Sequence, residues 1–115
     1  MPPSLGDRLE HVIAAIDSIE LLLKSTSDEI IARTRHQRMI LERELEIVCE
    51  ASRHIPAEIK AQEKAIDWKR MINLGNRLRH AYDSVDLEIL LDIARTDLPP
   101  LMVFVRRILA KEGKR

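Results

Sequence analysis

Residues 41–55, LERELEIVCEASRHI, carry the pattern that decides the fold. Small or apolar residues recur there at alternating steps of four and three positions: Leu41, Leu45, Val48, Ser52 and Ile55. This spacing forms one stripe along an α-helix and favours a neighbouring helix that packs nearly parallel or antiparallel to it. We therefore predict a long helix from about Asp28 to His54. Pro56 either ends this helix or begins the next one, because proline cannot donate a backbone hydrogen bond and disfavours helix in the residue before it.

Helical periodicity extends from this stretch in both directions. Upstream, apolar residues at steps of three and four predict a first helix: Leu9, Val12, Ile13, Ile16, Ile19 and Leu23. Thr26 and Glu29 have the spacing of a capping box, so they mark the predicted start of the second helix. Downstream, residues 57–65 predict a short helix or helical turn, and residues 68–82 predict a fourth helix.

Two more predicted helices complete the chain. Asp86 is the expected cap of a fifth helix, whose inner face consists of Leu87, Leu90, Leu91 and Ala94. Residues 97–100, DLPP, are predicted to end that helix and to begin a sixth, because proline suits a first helical turn. The inward residues of the sixth helix are Leu101, Phe104, Val105 and Ile108. Residues 1–115 are thus predicted to form one all-α domain, a compact up-and-down bundle of five to six helices.

The composition fits one globular domain and excludes a protein with a large net charge. Of the 115 residues, 45% are hydrophobic and 33% are charged, and 19 basic residues balance 19 acidic ones. This balance excludes a basic coat over the whole surface but not a local basic patch. No apolar run reaches the roughly 20 residues of a membrane span. The single cysteine, Cys49, is expected to be a buried packing residue of a cytoplasmic protein.

The fourth predicted helix, residues 68–82, concentrates the polar chemistry of the chain. A rotation of about 100° per residue places the apolar residues on one side: Trp68, Met71, Ile72, Gly75, Leu78 and Tyr82. The opposite side consists of hydrogen-bond donors: Lys69, Arg70, Asn73, Asn76, Arg77 and His80. His80 lies roughly 150° from the apolar centre, so we predict that it is not a core residue.

The donor-rich side is compatible with two interpretations. It is either a solvated helix face or an anion-binding site, since donors of one sign attract a polyanion. Histidine ordinarily titrates near neutral pH, and Arg77 shares a face with His80 three residues later. Such a pair suits metal-free RNA cleavage, in which one group deprotonates a ribose 2′-hydroxyl and cations stabilise the phosphorane.

No metal or other cofactor is predicted. The Cys and His residues lack the spacing of a zinc site. A diiron helical bundle is also disfavoured, because the sequence contains no Glu-x-x-His motif.

The fourth helix and its surroundings resemble a known family. Residues 67–72, DWKRMI, and 75–83, GNRLRHAYD, are similar to the signature segment of HepT-like proteins of the HEPN superfamily. The similarity continues through residues 85–86 and 97–101. Residues 45–51, LEIVCEA, are similar to the family's second-helix block LEIIGEA, with Cys49 where glycine is usual. The resemblance therefore spans nearly the whole chain in the same order.

The resemblance implies a function. HepT proteins are small helical toxins, usually homodimers, with an Arg-x4–6-His-x-Tyr motif that is proposed to cut RNA at the dimer cleft. Their partner is a minimal nucleotidyltransferase (MNT) antitoxin, which adenylylates the motif tyrosine. His80 and Tyr82 match His-x-Tyr, so the resemblance implies catalytic roles for both and adenylylation of Tyr82. Asn76 matches the polar residue after the motif arginine, and residues of the donor-rich side join it as expected phosphate ligands: Arg70, Asn73 and Arg77.

Gly75 departs from the family motif. It stands five residues before His80, where the motif places its arginine. Either Arg77 substitutes as the catalytic arginine from one turn closer, or the protein is a degenerate module that binds nucleotide, RNA or its partner without cleaving. A third hypothesis is a structural helical adaptor, in which His80 and Tyr82 have no role.

Overall fold

The computed structural model describes residues 2–80 and 85–112, and every regular element in these ranges is a helix. The longer helices are α1 (Leu5–Ser25), α3 (Arg35–Arg53), α5 (Trp68–His80) and α7 (Leu98–Glu112). The shorter ones are α2 (Asp28–Arg33), α4 (Ala57–Lys60) and α6 (Leu87–Asp92). The predicted all-α fold is confirmed. Within the described ranges, no helix has both the length and the apolarity to cross a membrane.

The core lies where α1 packs against α3 and α7, and where α3 packs against α5. The predicted stripe of α3 and of the residue after its C-cap is buried throughout: Leu41, Leu45, Val48, Ser52 and Ile55. The inward residues predicted for the last helix are also buried: Leu101, Phe104, Val105 and Ile108. In α1 four residues of the stripe are buried: Leu9, Val12, Ile16 and Ile19. Ile13 and Leu23 are partly buried, and Leu21 is 69% exposed.

Thr34 divides the predicted second helix into α2 and α3, so the prediction of one continuous helix is wrong. The backbone at Thr34 is extended, with φ −112° and ψ 103°. The resulting change of direction buries Ile31 completely. It also lets Asp28 accept two hydrogen bonds from Arg95, at 2.6 and 2.9 Å. These contacts come from distant parts of the chain, so local periodicity gives no sign of them.

Serines cap the first two helices. Ser27, not the predicted Thr26, caps α2, because its hydroxyl accepts a hydrogen bond from the Ile30 N–H at 3.2 Å. Ser4 and Asp7 form a capping box at the start of α1, with both hydrogen bonds at 3.1 Å. Each cap satisfies a backbone N–H that the first helical turn leaves without a partner.

A π-helical segment, Ile93–Asp97, joins α6 to α7. The predicted start of the last helix at residues 97–100 is confirmed, since α7 begins at Leu98, but the chain stays helical through this boundary. The Leu98 N–H donates to the carbonyl of Ile93, five residues earlier. Pro99 and Pro100 have no N–H, and their rings crowd the carbonyls of the preceding turn. The wider π-helical turn accommodates them without ending the helix.

Candidate nucleic-acid interface

The first turn of α5 is fixed by Trp68. Its ring packs edge-on against Phe104 of α7, with the ring centroids 5.7 Å apart. The indole N–H donates to the backbone carbonyl of Glu63 at 3.2 Å, and the Lys60 ammonium lies 5.5 Å from the ring centroid. These contacts hold the start of the helix while its polar side faces solvent.

Gly75 lets α5 approach α3 closely. A Cβ added to Gly75 would lie 2.9 Å from the Cβ of Cys49, closer than two carbon atoms can pack. Cys49 is only 4% exposed, and burial raises the pKa of its thiol to about 12. Cys49 is thus the buried packing residue that the sequence predicts.

Arg70, an expected phosphate ligand, is engaged in two ion pairs within the chain. Its guanidinium donates to Asp92 at 2.5 Å and to Asp97 at 3.1 Å. The Asp97 side chain is only 8% exposed, and burial raises its pKa although the charge of Arg70 opposes that shift. Its Oδ2 atom is buried without a hydrogen-bond partner among the residues described. Arg70 thus holds α5 to the helical path of α6 and α7.

Asn76, a second expected phosphate ligand, is also engaged. Its Oδ1 accepts a hydrogen bond from Arg79 at 2.7 Å. Arg79 in turn lies 3.4 Å from Glu50 of α3. Glu50 also accepts from Arg53, and these hydrogen bonds are the main cause that lowers the pKa of Glu50. The end of α5 is thereby held against the end of α3.

Four other donors on α5 are exposed, and their side chains have no partner within residues 2–80 and 85–112: Lys69, Asn73, Arg77 and His80. We call these four residues the donor stripe. A rotation of about 100° per residue places them within roughly 80° of one another, along about 16 Å of helix. The exposure predicted for His80 is confirmed. Tyr82 lies outside the described residues, so the structure gives no geometry for the expected catalytic and adenylylated hydroxyl.

The pairing of Arg70 is the feature that sequence reasoning missed. Its acidic partners lie 22 and 27 positions later in the chain, beyond the reach of any helical spacing rule. The rotation of about 100° per residue places Arg70 on the same side as the donor stripe, because it takes account of one helix alone. Lys69 is the opposite case. The rotation of about 100° per residue correctly predicts that it is exposed, although it was not among the expected phosphate ligands.

No group of three or more His, Cys, Asp or Glu residues within the described ranges could hold a metal ion. The site therefore consists of cationic and neutral donors on one exposed helix face. An all-α bundle with such a face defines a class of small helical proteins with a donor-rich surface on one helix.

Comparison with known proteins identifies the family. Residues 12–108 match the family described as "Ribonuclease HepT-like". A "Probable ribonuclease HepT" of Thermococcus cleftensis is 33% identical over 101 residues, which cover 88% of this chain and 92% of that protein. A "Putative RNase" of Caldanaerobacter subterraneus subsp. tengcongensis is 27% identical over 104 residues, or 90% and 93% of the two chains. The chain belongs to the HepT-like ribonuclease family. No solved structure matches it.

Proposed function

We propose that this chain is the RNA-cleaving toxin of a HepT/MNT-type toxin–antitoxin pair and acts as a homodimer. Membership of the HepT-like ribonuclease family supports RNA as the substrate. The observation that carries the proposal is the position of Arg77 and His80, exposed on one face of the last turns of α5 and without intramolecular partners among the described residues. A cation and a proton-transfer group are thus free to meet a phosphodiester.

In the proposed reaction, His80 accepts the proton of a ribose 2′-hydroxyl, and the 2′-oxygen attacks the adjacent phosphorus. The bond from phosphorus to the 5′-oxygen breaks, and the leaving oxygen takes up a proton from solvent, to which His80 then returns the proton that it accepted. The products are a 2′,3′-cyclic phosphate and a 5′-hydroxyl. Arg77 stabilises the charge on the phosphorane oxygens, and Asn73 contacts a neighbouring phosphate. This chemistry uses side chains alone and needs no cofactor.

The proposed regulation is adenylylation of Tyr82 by the MNT-type partner. The tyrosine oxygen attacks the α-phosphorus of ATP, pyrophosphate leaves, and the tyrosine proton passes to solvent. The added AMP brings a bulky anion within two residues of His80 and would block RNA there. Incubation with the cognate nucleotidyltransferase and ATP, followed by mass spectrometry, tests this assignment. An unmodified Tyr82 beside an enzyme that is active on another substrate would contradict it.

The cleavage activity is tested by incubating the purified protein with RNA beside two histidine variants. His80→Ala should abolish cleavage, whereas His11→Ala, which removes an exposed histidine of α1, should leave cleavage unchanged. Product ends should carry the cyclic phosphate. Equal degradation by all three proteins, or by none, would exclude His80 as the catalytic base.

One observation favours a second candidate function, a degenerate module that binds RNA, nucleotide or its partner without cutting. The contact between Gly75 and Cys49 leaves no room for the motif arginine at residue 75. Loss of such a charge-stabilising donor costs roughly 10²- to 10³-fold in rate. RNA binding that survives in the absence of any cleavage would support this candidate.

A further inference from the structure

The end of α3 and the last turn of α5 bring several basic side chains around one carboxylate. Glu50 accepts two hydrogen bonds from Arg53, at 2.8 and 3.1 Å. Arg79 of α5 lies 3.4 Å from the same carboxylate, and His54 Nε2 lies 3.7 Å from it. Two guanidiniums thus share one acid, so the group keeps a positive charge even when His54 is neutral. We call these four residues the Glu50 cluster.

Two neighbouring charged groups leave this positive charge in place. Glu46, one helical turn before Glu50, is paired with Arg43 at 3.5 Å. The Lys60 ammonium lies 3.4 Å from the backbone carbonyl of Arg53 and has no acidic partner within residues 2–80 and 85–112. Burial lowers the pKa of Lys60, and the charge of Arg53 lowers it further. A second cation therefore lies close to Arg53 and adds to the positive charge of this surface.

The guanidinium of Arg53 is held in one orientation and still has free donors. Its Nε and Nη2 atoms both donate to Glu50, which fixes the plane of the group. Its Nη1 atom has no partner in the part of the chain that the structure describes, and the side chain is 49% exposed. An oriented guanidinium with free N–H groups suits a phosphate, whose oxygens accept strong, charge-assisted hydrogen bonds.

Asn76 connects the Glu50 cluster to the donor stripe. Its Oδ1 accepts a hydrogen bond from Arg79 at 2.7 Å, so its own N–H groups remain available. A rotation of about 100° per residue places Asn76 within about 20° of Lys69 and within about 40° of His80, one turn later. Residues 68–80 contain no acid. The donor-rich surface of α5 therefore continues from His80 across Asn76 to the cluster.

The other edge of the donor stripe, toward α6, is less suited to a polyanion. Arg70 is paired there with both Asp92 and Asp97. When both acids are ionised, this group has an excess of negative charge, whereas the Glu50 cluster has an excess of positive charge. An RNA strand bound at the donor stripe is therefore attracted toward α3 and repelled from α6.

We propose that Arg53 and Arg79 form a second phosphate-binding subsite, which holds the RNA backbone next to the phosphodiester at His80. The strand would cross α5 near its C-terminal end and continue over the end of α3. Glu50 is a positioning residue, because it orients both guanidiniums and leaves each of them with free donors. This inference rests on the proposed RNA cleavage and extends its binding surface from α5 to α3.

The test measures binding of a 2′-O-methyl oligonucleotide, which has no 2′-hydroxyl to react, by fluorescence anisotropy at several salt concentrations. Arg53→Ala should make the slope of log K against log salt concentration less steep by about 0.7, the contribution of one phosphate contact on a single strand. The ratio of wild-type to variant affinity should therefore shrink about fivefold for a tenfold rise in salt concentration. Arg53→Lys keeps the charge and should keep the slope.

The matched control is Arg106→Ala, which removes an exposed arginine of α7 that is also paired with one acid. This variant should bind the oligonucleotide as the wild type does. The Arg53 side chain contacts only Glu50 and His54, close by in sequence, and such an exposed pair contributes little to stability. The urea midpoint of Arg53→Ala should therefore equal that of the wild type, so weaker binding would not reflect unfolding.

Several outcomes would overturn the proposal. One is a slope that Arg53→Ala leaves unchanged while Arg77→Ala makes it less steep, which would leave the donor stripe and the proposed cleavage standing. Another is an equal effect of Arg53→Ala and Arg106→Ala, which would indicate a general effect of net charge. A third is a wild type that does not bind the oligonucleotide. If the wild type also fails to cleave RNA, the proposed function is contradicted together with the subsite.

Discussion

Gly75 and Cys49 meet at the crossing of α5 and α3, where a Cβ added to the glycine would lie 2.9 Å from the Cβ of the cysteine. Both residues depart from the pattern that the HepT resemblance implies, which has arginine at the first position and glycine at the second. The two departures therefore belong to one contact. Only one of the two helices can carry a side chain at this crossing, and in this chain it is α3.

This contact predicts that side chains at residue 75 destabilise the protein unless Cys49 is reduced to glycine. Gly75→Arg alone should lower the free energy of unfolding by about 1–3 kcal/mol, the usual cost of overpacking. In the background of Cys49→Gly, the same substitution should cost much less, because the clashing Cβ is gone. Urea unfolding of the wild type, both single variants and the double variant measures the coupling between the two sites.

Cleavage by the same proteins separates the two candidate functions. If the native chain is degenerate, the double variant Cys49→Gly/Gly75→Arg should gain ribonuclease activity that His80→Ala then removes. Gly75→Ala serves as the steric control, since it adds only the Cβ. Helix propensity alone would make the alanine variant about 0.5–1 kcal/mol more stable than the wild type, so a gain of that size would contradict the close contact.

A second prediction concerns the buried carboxylate of Asp97. Arg70→Ala removes the cation that donates to Asp97 at 3.1 Å and leaves a carboxylate that is largely excluded from water. We expect a loss of about 2 kcal/mol in the free energy of unfolding, less than for a fully buried pair because Arg70 is partly exposed. Lys69→Ala, the neighbouring exposed cation without a described partner, should change stability by less than about 0.5 kcal/mol.

Asp97→Leu added to Arg70→Ala distinguishes a stranded charge from a general packing defect. Removing the carboxylate should recover most of the stability that Arg70→Ala costs. Thermal or urea unfolding of the two single variants and the double variant measures this recovery. Losses that simply add would show that Asp97 does not depend on Arg70.

The stripes of α1, α3 and α7 could be predicted from the sequence because burial follows helical spacing within one element. The features that escaped prediction depend on more distant contacts. The bend at Thr34 is stabilised by burial of Ile31 and by the pair of Asp28 with Arg95. The same holds for the candidate site. The helical rotation of α5 correctly predicts that His80 is exposed, but only the fold shows that Arg70 pairs with Asp92 of α6 and Asp97 of the π-helical segment.

A third prediction is a pH dependence that arises from Asp28. Hydrogen bonds from Arg95 lower the pKa of this carboxyl below its ordinary value of 3.8. Because the pKa of this carboxyl is lower in the folded state, its ionised form stabilises the protein at every pH above the pKa of the unfolded state. This contribution is lost as the pH falls through the pKa of the folded state. The wild type should exceed Asp28→Asn by about 0.5–1 kcal/mol at pH 6, a gap typical of an exposed pair. Urea unfolding at intervals from pH 6 to pH 3 should show this gap closing, whereas a constant gap would contradict the ion pair.

The fourth prediction concerns the salt dependence of RNA binding by the donor stripe. Each phosphate that a cation neutralises on single-stranded nucleic acid contributes about −0.7 to the slope of log K against log salt concentration. Lys69→Ala and Arg77→Ala should therefore each make the slope less steep by about 0.7. Lys111→Ala, which removes an exposed lysine of α7, is the matched control and should leave the slope unchanged. Fluorescence anisotropy with a 2′-O-methyl oligonucleotide measures binding without cleavage, because that strand has no 2′-hydroxyl. If all three variants make the slope less steep by the same amount, the donor stripe is not the RNA-binding surface.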